Sequence, residues 1–314
     1  MDVSDRLGII QAVTWDPDQL RAGCAEVAAV ARYVRIQPGS ISAYAKGVAD
    51  NPPHTGVIGQ HPNAIAAEWL ILDAINFGSG WFPTLRKRPG LSGYRTIAAG
   101  LRERFERAGP WSAGELAEIT PHELARTVGQ DPDHPLVALF VASLRDLGRH
   151  VATDHGGRFE AVVAHGEGVQ LVNTLSTWEC FADVSVYDGI SLPFLKRAQI
   201  AAADLHRAGA AHFTDLHRLT IFADNLVPHV LALDGVLRLH PDLQAAIAGE
   251  ELLQHGSAPE VELRACAVHA CELLVAAVGP ERITAAELDG ILWERGGQPR
   301  YKAKPRPRCR TTAY

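Results

Sequence analysis

The chain has 314 residues, 47% of them hydrophobic, and a formal net charge of −6 at neutral pH. That length and apolar content can bury a sizeable core, which excludes general disorder. The acidic balance argues against a dedicated nucleic-acid binder, whose surface must neutralise phosphates; a small-molecule partner fits better.

The N-terminus opens on acidic and polar residues, without the basic segment and apolar run of an export signal. No stretch approaches the roughly 18 apolar residues of a membrane span. Five scattered cysteines (Cys24, Cys180, Cys266, Cys271, Cys309) form no C-x-x-C pair and read as reduced, buried thiols. The expected location is therefore cytoplasmic, with no membrane partner.

Helix signals then dominate. Pro62 opens a segment with apolar residues at Ile65, Trp69, Leu72 and Ile75. Gly78-Ser79-Gly80 lacks the lysine and flanking strand of a phosphate loop and reads as a turn. The stretch from Phe82 to Gly93, rich in proline and glycine, is the best candidate for a joint; within it Gly90-Leu91-Ser92-Gly93 misses a nucleophile elbow by one residue. Thr120 with Glu123 forms a capping-box pattern ahead of Pro121. Pro135 opens the next helix, with Leu136, Phe140, Leu144 and Leu147 on one face. From Phe159 to Leu175, glycines at 166 and 168 allow either a hairpin or an interrupted helix, and helix is the preferred reading. Pro193 is expected to open a helix through Lys196 towards Gly209. Ser257 with Glu260 and Thr284 with Glu287 repeat the capping-box pattern. In all, about ten helices are expected, in one mainly α domain covering 1–314 with a loop-rich insertion. The basic run from Arg300 to Arg310 is either a solvated extension or a set of arginines that touch phosphate, and both readings stay open.

Fourteen histidines raise the question of a metal, but there is no H-E-x-x-H, and the spacing of His206, His212 and His217 does not bring all three to one helical face. Neither metal nor cofactor is expected. Asp224 is more telling: it ends the apolar run Leu219, Ile221, Phe222, Ala223 and precedes another that reaches Pro228. An aspartate there is either a site carboxylate or the cap of the following helix. Phe222, two residues earlier, would point about 200° away from Asp224 on a regular helix, so a shared site requires a helix end or an irregular turn.

The run Leu219-Thr220-Ile221-Phe222-Ala223-Asp224-Asn225-Leu226-Val227-Pro228-His229 resembles the signature of the queuosine-salvage glycosidase family. Other blocks recur in the family's order: His61-Pro62-Asn63, Leu72-Asp73-Ala74-Ile75-Asn76-Phe77, Ser92-Gly93-Tyr94 and Pro193 through Gln199. Glu262-Leu263-Arg264-Ala265, Leu288-Asp289 with Leu292-Trp293, Arg310-Thr311 and Tyr314 follow. Asn225-Leu226, His229 and Gly78-Ser79-Gly80 depart from the animal members, so that the chain looks like a bacterial branch of the family.

The resemblance implies a helical fold similar to helix-hairpin-helix DNA glycosylases. It also implies hydrolysis of queuosine 5′-monophosphate to queuine and ribose 5-phosphate. Breaking that bond leaves positive charge on the ribose, so the site needs a carboxylate beside the sugar, and Asp224 is the candidate. The base contacts implied are stacking on Phe222 and polar contacts at Asp289, Gly290 (backbone only) and Glu294, with Trp293 beside Asp289 or in the core. A substrate-contacting histidine is assigned to His54, with His61 as rival. Lys196 would meet the 5′-phosphate or pair with Asp224, unless it is an ordinary exposed helix lysine; His229 is either near the substrate or a satisfied core histidine. Two other readings stay open: a non-catalytic deazaguanine-binding protein, and a DNA base glycosylase, which the net charge disfavours.

Overall fold

The computed structural model describes residues 14–49, 62–164 and 166–314. His54 and His61 lie outside the described residues. The fold is mainly α, with fifteen α-helices among the described residues and only three two-stranded pairings. The excess over the expected ten comes from short pieces such as Phe159–Val162 and Pro299–Lys302. The segment after Phe159 is helical, broken ahead of Gly168–Ser176.

Helix starts follow capping chemistry where neighbours leave it undisturbed. Thr284 and Glu287 close a complete box: the hydroxyl accepts from the Glu287 N–H at 3.2 Å, and the carboxylate accepts from the Thr284 N–H at 2.8 Å. Thr120 accepts from the Glu123 N–H, but the Glu123 carboxylate turns to the Trp111 indole N–H at 2.8 Å. At Ser257 the expected box does not form. There Glu260 instead accepts from the Tyr314 hydroxyl at 2.6 Å and the Gly256 N–H at 2.9 Å. A box that sequence reading passed over, Ser112 with Glu115, opens Ala113–Glu118.

Two further corrections concern the region before the site. Pro193 does not open its helix; Leu195 takes a left-handed conformation (φ 45°) and the helix starts at Lys196, running Lys196–Arg207. Ahead of it, Ser185–Tyr187 and Ile190–Leu192 form an antiparallel hairpin that a helix-only reading omitted. Asp188-Gly189 turns it with φ of 46° and 88°, the positive values such a two-residue turn needs.

The core is built around Ala258–Val278, buried at nearly every position from Glu260 to Cys271. One apolar cluster extends from Trp15 to Tyr301. Leu136, Phe140, Leu144 and Leu147 face it as expected, on Pro135–Asp154. On Pro62–Ala74, Ile65 and Trp69 are only half-buried, whereas Ala66, Ala67 and every residue from Leu70 to Ala74 are buried. That helix is embedded rather than amphipathic at its C-terminal end, and it carries Asp73 into the interior.

The basic C-terminal run is docked on the fold rather than free, with Arg300, Lys302, Lys304 and Arg310 still exposed. Arg300 pairs with Asp234 at 3.0 Å, Arg308 with Glu250 at 3.2 Å, and Arg310 lies over the Trp81 ring. Arg308–Cys309 pairs in parallel with Leu252–Leu253. The Tyr314 carbonyl accepts from the Gly78 N–H at 3.1 Å, and a β-carbon on Gly80 would collide with the Cys309 carbonyl. The Gly78-Ser79-Gly80 turn thus makes room for a C-terminal strap. All five cysteines are free and buried, and no helix among the described residues is long and apolar enough to cross a membrane.

Candidate active site

The segment from Leu219 to Asn225 is irregular, as the Phe222/Asp224 spacing requires, and it is pinned almost residue by residue. The Leu219 carbonyl accepts from Arg21 at 3.1 Å, the Thr220 N–H donates to Gln199 at 2.9 Å, and the Phe222 N–H donates to Asp289 Oδ1 at 2.9 Å. Arg264 Nε donates to the Ala223 carbonyl at 2.9 Å, and Asn225 Nδ2 to the Pro307 carbonyl at 2.7 Å. A loop so held loses little freedom when it orients a ligand.

Arg264 is the pillar behind it. It makes a two-pronged pair with Asp183, at 2.9 and 2.6 Å, with both side chains buried. Its guanidinium sits between the Phe194 and Tyr314 rings, 4.0 and 4.4 Å from their centroids. Asp183 also accepts from the Lys196 N–H at 3.0 Å. One buried ion pair therefore fixes the residue before Asp224 and the first residue of the Lys196 helix together.

Asp224 makes the helix cap that its sequence context allowed. Its Oδ1 accepts from the Leu226 and Val227 N–H groups at 2.7 and 3.2 Å, capping Leu226–Leu233. Its Oδ2 accepts from none of the described residues, and the side chain is half-buried rather than solvent-facing. The cap orients the carboxylate and leaves one oxygen for other work.

Lys196 is buried, which rules out the exposed-lysine reading. Its ammonium donates to the Asn76 carbonyl at 3.0 Å. Burial depresses its pKa, opposed first by Asp224 and then by Asp73. Asp289 is buried too; burial, then the Asp224 charge, hold its carboxyl well above the usual range, against the Phe222 N–H and Lys196. Phe222 is buried next to these groups. Trp293 is 38% exposed, edge-on to Tyr94 at 6.3 Å, with Arg95 over its ring, so it is not a core tryptophan.

Other expected residues stand differently. Gly290 and Glu294 are exposed on the helix that carries Asp289, Ala285–Gly296. His229 is buried and bonded to the Tyr301 carbonyl at 3.0 Å, which matches the satisfied-core reading; burial lowers its pKa. Arg306 was not singled out from the sequence. It is half-buried, has no hydrogen-bond or ion-pair partner among the described residues, and its pKa is lowered by burial against the attraction of Asp224. Asp73 was quoted only as part of a motif block. Its setting, an aspartate inside the apolar run from Trp69 to Phe77, is the same signal that singled out Asp224. A cleft of about 510 Å³ between Gly93–Ala108 and Pro121–Val128 is lined by Arg88, Arg104, Arg107 and Arg126 and includes none of the candidate residues.

Comparison with known proteins bears on this cluster. A family described as queuosine salvage protein matches residues 59–314. A queuosine 5′-phosphate N-glycosylase/hydrolase of Sphaerobacter thermophilus is 35% identical over 264 residues, covering 80% of this chain and 82% of its own. The protein of the same name from Dictyostelium discoideum is 29% identical over 256 residues, 78% and 77% of the two chains. That from Bos taurus is 30% identical over 193 residues, 58% and 57% of the two.

Proposed function

The chain belongs to the queuosine salvage protein family, and from that premise we propose that it hydrolyses the N-glycosidic bond of queuosine 5′-phosphate, giving queuine and ribose 5-phosphate. The observation that carries this reading is Asp224: a half-buried carboxylate clamped through one oxygen, with the other unbonded.

As the bond to the base breaks, C1′ and O4′ of the ribose become electron-deficient, and the Asp224 carboxylate offsets that charge at close range in a poorly hydrated setting. Water adds to C1′ and loses a proton; the departing base gains one. A deazaguanine has no N7 for a protein acid to protonate, so the charge on the leaving base must be met elsewhere on its ring. Asp289, biased by burial towards its acid form, supplies that hydrogen bond, while Phe222 stacks on the ring.

Two cations accompany the carboxylate. Lys196 places a buried positive charge within electrostatic reach of Asp224, and Arg306, which no described acid neutralises, takes the 5′-phosphate. The reaction needs only water, and no cofactor is invoked. The core shared from Trp15 to Tyr301 supports a single domain over 1–314, and five free thiols fit a cytosolic setting.

Incubating the purified chain with queuosine 5′-phosphate and following free queuine by chromatography is the direct test. Release of queuine and ribose 5-phosphate in equal amounts is expected; the base retained on an unhydrolysed nucleotide would sink the reading.

A further inference from the structure

Asp73 is fully buried near the end of Pro62–Ala74, and among the described residues neither of its carboxyl oxygens has a hydrogen-bond partner of good geometry, although the Asn76 side chain is close enough to favour its charged form. Leaving a buried polar group unpaired costs free energy, and folded proteins retain few such groups without a use for them. The charged and titratable groups facing it are Asp204, Lys196 and Arg207 from the neighbouring helix and Tyr94 from Gly93–Ala108. Asp204 is already paired with Arg207. Lys196 is within electrostatic reach of Asp73, Asp224 and Asp289 together, so Asp73 belongs to the same cluster as the two site carboxyls.

Resting on the glycosidase reading of that cluster, we propose that Asp73 is a sugar-specificity residue whose two oxygens hydrogen-bond the adjacent 2′- and 3′-hydroxyls of the ribose while Asp224 stands at C1′. The chemistry selects hydroxyls over the other parts of the nucleotide. Carboxyl oxygens repel a phosphate dianion, and the base is served by Asp289. A cis-diol presents two O–H donors side by side to the two acceptors of one carboxyl, the arrangement acidic residues recurrently make with ribose. Burial, then the charge of Asp204, push the Asp73 pKa above the ordinary carboxylate range, opposed by Lys196, Asn76 and Arg207.

The test uses the full chain, with D73A and D73N, on queuosine 5′-phosphate and its 2′-deoxy counterpart, alongside thermal melts. The parent enzyme is expected to favour the ribonucleotide by about 100-fold or more in kcat/KM, as sites built around a substrate hydroxyl do. D73A should lose about 30-fold or more on the ribonucleotide but less than about threefold on the deoxynucleotide, because only the former had a bond to lose. D73N, which keeps the side chain's shape and loses only a buried charge, should melt no lower than the parent.

The sign of the pH dependence follows. A carboxyl whose folded pKa is raised subtracts stability as pH climbs from about 4 towards that folded value, so the D73N advantage in Tm should widen over that interval. Equal losses on both nucleotides, or melting lowered by more than about 5 °C in both variants, would make Asp73 a structural residue and overturn the assignment. If the parent releases base from neither nucleotide, the glycosidase reading itself fails and the assignment falls with it.

Discussion

Two buried aspartates on either side of Lys196 have opposite fates. Asp183 is saturated: Arg264 grips both its oxygens, and the Lys196 N–H adds a third bond. Asp73 is as deeply buried, and among the described residues neither of its oxygens has a hydrogen-bond partner of good geometry. The difference separates scaffold from site. Where charge is fully met the chain is being held, and where a buried carboxyl beside the site acids keeps capacity left over, a ligand can use it. Asp224 stands between the two, with one oxygen committed to a helix start and one uncommitted.

The largest expected effect falls on the uncommitted oxygen. Asp224→Asn keeps a competent helix cap, so melting should stay close to the parent's. An amide cannot balance an electron-deficient ribose, however, and kcat should fall by at least about 10³-fold. Near-normal turnover would dissolve the contrast between Asp224 and Asp183. Arg264→Met acts on the saturated side: it strands the Asp183 charge in the interior and should cost about 3–5 kcal/mol in urea denaturation. Activity should fall further than the folded fraction, because the bond that holds the Ala223 carbonyl beside Asp224 goes with it. A variant whose turnover per folded molecule is unchanged would show that Arg264 does not orient the Asp224 loop.

These roles were unequally visible in the sequence. Asp224 announced itself because an acid inside an apolar run needs a reason, and Asp73 sat in an equally apolar run between Trp69 and Phe77. The Asp183–Arg264 pair could not be read, because its partners are 81 residues apart and only the tertiary fold brings them together. Helix content was legible from caps and apolar spacing. The Ser185–Leu192 hairpin was written locally in Asp188-Gly189 and was missed because a long series of helix signals surrounds it. The arginine-rich tail looked like a free extension by composition; its docking depends on the buried Tyr301, Cys309 and Tyr314, whose partners lie elsewhere in the chain, while most of its basic side chains stay exposed.

Asp289 gives the next, smaller effect. One of its oxygens is bonded to the Phe222 N–H while burial and Asp224 favour its acid form. If that acid supports the departing base, activity should decline on the alkaline side as pH rises through the raised pKa and the proton is lost. Asp289→Asn remains neutral at every pH. It should lower kcat/KM by about 10- to 100-fold and flatten the alkaline limb. An unchanged limb would assign that titration to another group, with Lys196, whose pKa is depressed by burial, the first to examine.

The smallest effect repeats the contrast within a single motif. Thr284 and Ser257 both stand three residues before a glutamate, and by sequence they are equivalent caps. Thr284 makes its bonds in both directions, whereas the Ser257 hydroxyl makes none with the described residues, because Glu260 has been drawn away by Tyr314 and Gly256. Thr284→Ala should therefore cost about 1 kcal/mol of stability, and Ser257→Ala less than about 0.5 kcal/mol, both read from urea midpoints at constant m. Equal costs would mean that the serine caps its helix after all. Glu260 would then be shared between the helix start and the C-terminal tyrosine, and the strap would be less firmly anchored than its hydrogen bonds imply.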